Sequence, residues 1–283
     1  MRYFALFNQH AGNEKGIERA GYLKLYYPEK DLFFVDIEAV DYPTFFNDLE
    51  EGDRVIICGG DGTLNRFVND AYGLYEGRPI YYYACGSGND FLRDVKNKVE
   101  CEPFVINEYI RDLPTVTVKG KTYRFINGVG YGIDGYCCEE GDKIRAKNPG
   151  KDINYTGIAI KGLLFKYKPT NATVVVDGKE YFFKKVWIAP TMHGKYYGGG
   201  MIPTPAQERL GEKKSSLMIF HGSGKLKTLM IFPSIFKGEH VKNTKFVTVL
   251  EGKEITVKFD APRPLQVDGE TILDVTEYTV KND

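Results

Sequence analysis

Val55-Ile56-Ile57-Cys58, then Gly59-Gly60-Asp61-Gly62-Thr63, then Leu64-Asn65-Arg66-Phe67-Val68-Asn69-Asp70-Ala71-Tyr72 carry two hydrophobic periods in succession. The first four residues are apolar and three are β-branched, which predicts a strand covered on both faces. Leu64, Phe67, Val68 and Ala71 then fall at i, i+3, i+4 and i+7, one face of a helix. Three glycines between them allow positive φ and close approach of a ligand to backbone amides, and Thr63 is placed to cap the helix. A strand, a glycine turn and a helix in that order suit a phosphate. An Asp-Gly β-hairpin is the competing reading, and it fails because residues 64–72 do not alternate. Neither G-x-x-x-x-G-K-[ST] nor a helix-opening G-x-G-x-x-G is present.

Outward from this stretch, the same grammar covers the first 113 residues. Residues 2–7 predict a buried strand ending in Asn8-Gln9-His10-Ala11-Gly12, a second candidate phosphate loop. Helices are expected over Glu14–Tyr27 and Tyr42–Glu50, with strands over Leu32–Ile37 and Pro79–Ala84, the latter closed by Cys85-Gly86-Ser87-Gly88-Asn89-Asp90. Alternating strands and helices predict a parallel, doubly wound sheet, and the loops at 8–12, 59–63 and 85–90 should meet at its carboxyl edge. Beyond residue 114 the pattern becomes short strands: 115–119, 122–127, 173–176, 181–188, 217–220, 246–250, 254–259 and 277–280. One helix, Tyr155–Tyr167, interrupts them. The expected architecture is α/β plus mainly β: a doubly wound α/β domain over 1–114 and an antiparallel β-rich domain over 115–283. A cleft between the two is expected, and return of the last strand to the first domain is left open.

The 283 residues include 38 Lys plus Arg and 38 Asp plus Glu, so no net field draws the chain to nucleic acid. No run reaches the ~18 apolar residues of a membrane span, and the N-terminal apolar run is too short for a signal peptide. A cytoplasmic protein is expected, peripheral to the membrane at most. Five cysteines (58, 85, 101, 137, 138) without a C-x-x-C pair read as reduced thiols. His10, His193, His221 and His240 lack metal-ligand spacing. Lys161, Lys166 and Lys168 are either a wet helix face or a transient contact with an anionic membrane.

Five stretches in order resemble the soluble diacylglycerol kinase and sphingosine kinase superfamily, especially its compact bacterial members. They are Gly59-Gly60-Asp61-Gly62-Thr63-Leu64-Asn65, Gly86-Ser87-Gly88-Asn89-Asp90-Phe91, Asn127-Gly128-Val129-Gly130-Tyr131-Gly132-Ile133-Asp134, Tyr197-Gly198-Gly199-Gly200 and Val267-Asp268-Gly269-Glu270. NAD kinases share the Gly-Gly-Asp-Gly-Thr turn, but their N-x-G-x-x-G-F-L element is absent. The resemblance implies an ATP-binding domain over 1–114, a β-sandwich-like lipid-binding domain over 115–283, and transfer of the ATP γ-phosphoryl group to a lipid hydroxyl with Mg²⁺. A nucleotide-binding sensor without efficient transfer, and a kinase of a soluble alcohol, are the alternatives; a homodimer is left open. There are departures. The first loop lacks the family's proline and serine, Arg66 stands where a glutamate is usual, and Ala84 replaces a proline. Ser87 replaces a threonine but keeps the hydroxyl. An Asp-Gly pair that helps hold a structural Mg²⁺ in some members is replaced around Arg209-Leu210-Gly211-Glu212-Lys213.

The roles that follow depend on positioning and charge neutralisation. Amides of Asn8, Gln9, His10, Ala11 and Gly12, and of Gly60, Asp61, Gly62 and Thr63, would hold the triphosphate beside Asn65, with the Ser87 hydroxyl on a phosphate oxygen. Asp61 and Asp90 are candidate Mg²⁺ or metal-water ligands. Their structural alternatives are a turn aspartate bonding its own backbone and a helix N-cap. On an extended segment Asp268 and Glu270 would point the same way. A plain Asp-Gly hairpin turn is the local alternative. The resemblance makes one of the pair the base that takes the hydroxyl proton, Asp268 ahead, with the other ordering metal waters. Asp134 either orients the acceptor hydroxyl or is a turn aspartate before Gly135.

Overall fold

In the computed structural model, which describes residues 1–9, 16–86, 88–98, 100, 102–148 and 153–282, the chain divides at Asp112/Leu113 into two units. The first carries β1 (Tyr3–Phe7), α1 (Gly16–Ala20), β2 (Leu32–Asp36), α2 (Tyr42–Asn47), β3 (Arg54–Gly59), α3 (Asp61–Asp70), β4 (Ile80–Ala84), α4 (Asp90–Lys96), β5 (Phe104–Val105) and α5 (Asn107–Ile110). The sheet order is β2-β1-β3-β4-β5, parallel except for the antiparallel edge strand β5. This is a doubly wound order with its switch point between β1 and β3.

Val55, Ile56 and Ile57 are fully buried, as a continuous β-branched run in a central parallel strand requires. Leu64, Phe67 and Val68 of α3 are equally buried, and Phe67 meets the rings of Tyr42, Phe46 and Tyr75. Each such side chain contributes about 2 kcal/mol through burial. The helix begins at Asp61 rather than after Thr63, with Gly60 at the cap position. Thr63 is therefore not the cap. It folds back over Gly59, where a Cβ would fall 2.3 Å from its Oγ1. The helix expected over 14–27 is a short α turn that tightens into a 3₁₀ helix over Gly21–Leu25, and α2 ends at Asn47.

The second unit carries β6 (Thr115–Val118), β7 (Lys121–Arg124), β8 (Gly128–Tyr131), α6 (Ile133–Lys147), α7 (Tyr155–Lys161), β9 (Thr170–Val176), β10 (Lys179–Val186), β11 (Thr191–Met192), β12 (Ser215–Phe220), α8 (Lys225–Ile231), β13 (Val247–Gly252), β14 (Glu254–Val267) and β15 (Glu270–Lys281). All pairings are antiparallel, in the order β13-β12-β11-β8-β14-β15-β6-β7, with β9 joining β14 to β10. The long β14 changes partner along its length, pairing β9 through 255–259 and β8 through 265–267, with a register irregularity between. Side chains from both parts fill one core, in which Tyr131 stacks on Phe259 with ring centroids 3.9 Å apart. A second apolar cluster joins α6, α7 and α8 to β12.

The last strand stays in this sheet, between β14 and β6, and does not return to the first unit. The fifteen-residue α6 and the strands β8 and β11 were not among the expected elements. The helix expected over 155–167 is α only to Lys161; from Gly162 it widens into a π turn closed by Tyr167 N–H to Gly162 O at 2.8 Å.

Candidate active site

At the carboxyl ends of β3 and β4 two turns touch. A Cβ on Gly86 would lie 2.4 Å from the Gly60 Cα, so the turns approach to a distance only glycine permits. The Asp61 carboxylate joins them: Oδ2 accepts from Asp90 N at 2.9 Å and Oδ1 from Phe91 N at 2.8 Å. Asp61 thus caps the start of α4 from another element, an anion at the positive end of a helix. Asp90 is buried, with Arg93 Nη1 at 3.7 Å. Arg19 reaches from α1 to the Cys85 carbonyl at 2.5 Å, bringing a cation to the same edge. Asn65 is buried under Asn69, whose Nδ2 donates to the Asn65 carbonyl at 2.9 Å. Arg66 is turned to Glu38 (3.0 Å) and Asp70 (3.4 Å) on the surface. Asn8 and Gln9 follow β1 at the same edge. His10, Ala11, Gly12 and Ser87 lie outside the described residues.

In the second unit the Asp268-Gly269 pair joins β14 to β15 as a two-residue turn between Val267 and Glu270. Both residues have positive φ, 47° and 100°, the signature of a type I′ hairpin. The segment is therefore a turn rather than extended. The Asp268 carboxylate receives three backbone N–H groups: Ile126 at 2.5 Å, Asn127 at 2.8 Å and Gly128 at 2.9 Å. Glu270 begins β15 as an exposed residue. The opposite side of the same loop is held by a cation, since Arg209 donates to the Ile126 carbonyl and to Asn127 Oδ1 at 2.8 Å. Arg209 is the first residue of the stretch that departs from the structural-metal pattern. Among the described residues no group of three or more His, Cys, Asp or Glu side chains could hold a metal ion.

Asp134 sits in the first turn of α6, and a Cβ on Gly130 would overlap its carboxylate. Burial holds this carboxyl up at about 6, above the ordinary 3.8, although Gln266 Nε2 donates to it at 2.9 Å and pulls the other way. The buried Tyr197 hydroxyl faces the carboxyl, and burial drives its pKa well up. Gln266 is the residue that sequence reasoning missed. Its Oε1 accepts from Gly269 N at 2.6 Å while its Nε2 holds Asp134, so it couples the hairpin turn to the start of α6. A buried amide between Leu265 and Val267 was the available signal. His193, buried beside Arg209, has its pKa lowered to about 3, chiefly by desolvation, and is neutral. The thiols of Cys137 and Cys138 are pushed up by burial, which leaves them inert.

Both units have counterparts in known proteins. Residues 2–116 match the diacylglycerol kinase catalytic domain, and residues 127–279 match the YegS C-terminal NAD kinase β-sandwich-like domain. The chain is 24% identical over 236 residues to "Putative lipid kinase YtlR" of Bacillus subtilis, covering 77% of this chain and 74% of that protein. It is 25% identical over 197 residues to a diacylglycerol kinase of Mycobacterium tuberculosis, covering 67% and 62%. In fold it is similar to a crystal structure titled as a "putative diacylglycerol kinase" from Bacillus anthracis, with TM-score 0.65, 18% identity, and 99% and 91% of the two chains covered. With catalytic-domain and YegS-type β-sandwich models together spanning nearly its whole length, the chain belongs to the diacylglycerol kinase-like family of kinases.

Proposed function

We propose that this protein transfers the γ-phosphoryl group of Mg-ATP to the hydroxyl of a lipid alcohol, diacylglycerol or a related lipid. The observation that carries this reading is the Asp61 bridge between the two glycine turns. It gathers the first-turn amides of α3 and the turn after β4 at one sheet edge, where N–H groups and helix ends favour a phosphate chain. The amides of Gly60, Asp61, Gly62 and Thr63, with Asn8 and Gln9, bind the phosphates. Asp61 and Asp90 are hard oxygen donors at the same edge, and a pair of carboxylates fits Mg²⁺, which takes one or two of them and keeps several waters. When bound, the ion would neutralise phosphate charge.

Asp268 is held by three amides. Such a carboxylate orients an acceptor hydroxyl firmly and accepts its proton late, which suffices for a loose phosphoryl-transfer transition state. Glu270 would order a water of the ion when it is bound. Asp134, titrating at about 6, can either accept from or donate to the acceptor hydroxyl.

Purified protein supplied with Mg-ATP and a panel of lipid alcohols tests the proposal. ADP release that requires a lipid acceptor supports it. Turnover of a soluble alcohol without detergent or vesicles would move the substrate class. A rise in melting temperature with ATP and no turnover of any acceptor would make the protein a sensor. The sensor reading rests on the charge reversal at Arg66 and on the altered first loop; the pairing of that guanidinium with Glu38 and Asp70 weakens the first of these grounds.

A further inference from the structure

The loop at 126–128 is gripped from two sides by opposite charges. Ile126, Asn127 and Gly128 donate their backbone N–H groups to the Asp268 carboxylate. From the other side Arg209 Nη1 donates to the Ile126 carbonyl, and Nη2 to Asn127 Oδ1 at 2.8 Å. The Ile126 carbonyl and the Asn127 N–H are the two ends of one peptide group, and both residues are buried. The negative end of that peptide meets a guanidinium and its positive end a carboxylate. Both hydrogen bonds are charge-assisted, and each polarises the peptide in the sense that strengthens the other. The second arm of the guanidinium, on the Asn127 side chain, fixes the plane of the fork. Arg209 and Asp268 are thus an ion pair relayed through a single peptide.

The surroundings leave this link little freedom. The Asn127 carbonyl accepts from His193 N at 2.9 Å and Gly194 N at 3.0 Å, and the Gly128 carbonyl accepts from Asp268 N at 3.1 Å. The arginine's own segment is tied to the same place through buried Gln207, whose Nε2 donates to the His193 carbonyl at 3.2 Å and whose Oε1 accepts from the Ser216 hydroxyl at 2.5 Å. The guanidinium therefore reaches the loop from a backbone that is already placed. His193 beside it is kept neutral by burial, so the imidazole adds no charge. Asp268 stands at φ 47° beside the exposed Gly269, so the direction of its carboxylate depends on the loop it grips.

We propose that Arg209 is a positioning residue for phosphoryl transfer: its charge, passed through the Ile126–Asn127 peptide, fixes the Asp268 carboxylate where the acceptor hydroxyl is to be met. The inference rests on the kinase reading above and adds to it a residue that acts through another.

The test combines an unfolding cycle with kinetics on the full chain, using Arg209→Ala, Arg209→Lys, Asp268→Asn and the double variant R209A/D268N. In urea, Arg209→Ala is expected to lower the folding equilibrium constant about tenfold more in the wild-type background than in the D268N background, since an amide at 268 removes the charge to which the arginine is coupled. With Mg-ATP and a lipid acceptor, Arg209→Ala should lower kcat about tenfold or more with the KM for ATP unchanged. Arg209→Lys should recover part of that loss, because it keeps the charge and gives up the fork. Equal losses of stability in the two backgrounds would overturn the proposal, as would an unchanged kcat in Arg209→Ala; either assigns the arginine to pinning its own segment. A lysine variant no better than alanine would overturn it too, by removing the part played by charge. Absence of turnover by the wild-type chain would sink the kinase reading and the positioning role with it, whereas the unfolding cycle needs no acceptor and judges the Arg209–Asp268 link separately.

Discussion

Asp61 and Asp268 each stand beside a glycine and each spend their carboxylate on backbone amides of another motif, but in unlike settings. Asp61 opens a helix in a parallel sheet and reaches amides 29 and 30 residues onward, on the next strand's turn. Asp268 occupies the first position of a type I′ turn in an antiparallel sheet and reaches amides 140 to 142 residues back. In the first unit the doubly wound topology already places both turns at one edge, so the carboxylate refines an arrangement that the fold supplies. In the second unit β8 pairs with β14 up to Val129 and Val267, and Asp268 N–H bonds the Gly128 carbonyl at 3.1 Å, so the sheet brings the loop at 126–128 alongside the hairpin and the carboxylate adds a further link through its amides. With three amides against two, the second aspartate should matter more to stability.

The comparison can be broken most directly at Asp268. Asp268→Ala strands three amides and should cost roughly 3 kcal/mol, read as a lower urea midpoint, together with loss of phosphoryl transfer. A stability equal to the wild type's would remove the link from the structure's energetics. Next in size is Asp134→Asn. The folded carboxyl titrates at about 6 and the unfolded one near 3.8, so between these pH values the native state binds more protons than the unfolded chain. Stability is then lost as pH rises through this window, by up to about 2 to 3 kcal/mol. The amide should abolish that dependence and stabilise the protein at neutral pH, even where it lowers turnover. Unfolding curves for both proteins at pH 4 and pH 7.5 decide the matter, and a variant whose pH dependence matches the wild type's would refute the sign.

Asp61→Ala should cost about 1 kcal/mol, the worth of a helix cap, and should raise the Mg²⁺ requirement more than the ATP requirement. An unchanged metal titration alongside the stability loss would leave Asp61 with a capping role alone. The smallest effect belongs to Glu270→Gln, whose exposed side chain should leave the melting curve unmoved while turnover falls. If turnover also stands, Glu270 has no part in transfer.

The first unit was legible because two periods meet at Gly59: β-branched residues that bury on both faces, then Leu64, Phe67 and Val68 on one helix face. The second was legible as short strands with turns, but α6 was not. It buries Gly135 and Gly141 rather than a large apolar stripe; a Cβ on Gly135 would lie 1.9 Å from the Pro264 carbonyl oxygen. A helix that packs through glycines looks, letter by letter, like a loop. β8 was hidden similarly, because Gly128 and Gly130 read as a motif rather than as strand residues pressed against Met192 and Asp134. In the candidate site the acidic residues were visible as types, whereas their partners, main-chain amides far along the sequence and the single amide of Gln266, carry no compositional mark.

The hairpin turn at Asp268 also has a kinetic side. Its carboxylate meets Ile126 across a sequence separation of 142, a non-local contact of the kind that forms slowly. The same residue sits where the register of β14 against β15 is set, and a slip of one position would turn Tyr278 and Val280 from core to water. Refolding chains should thus regain sheet signal before the Asp268 contacts, and catalytic competence should be the last property to return.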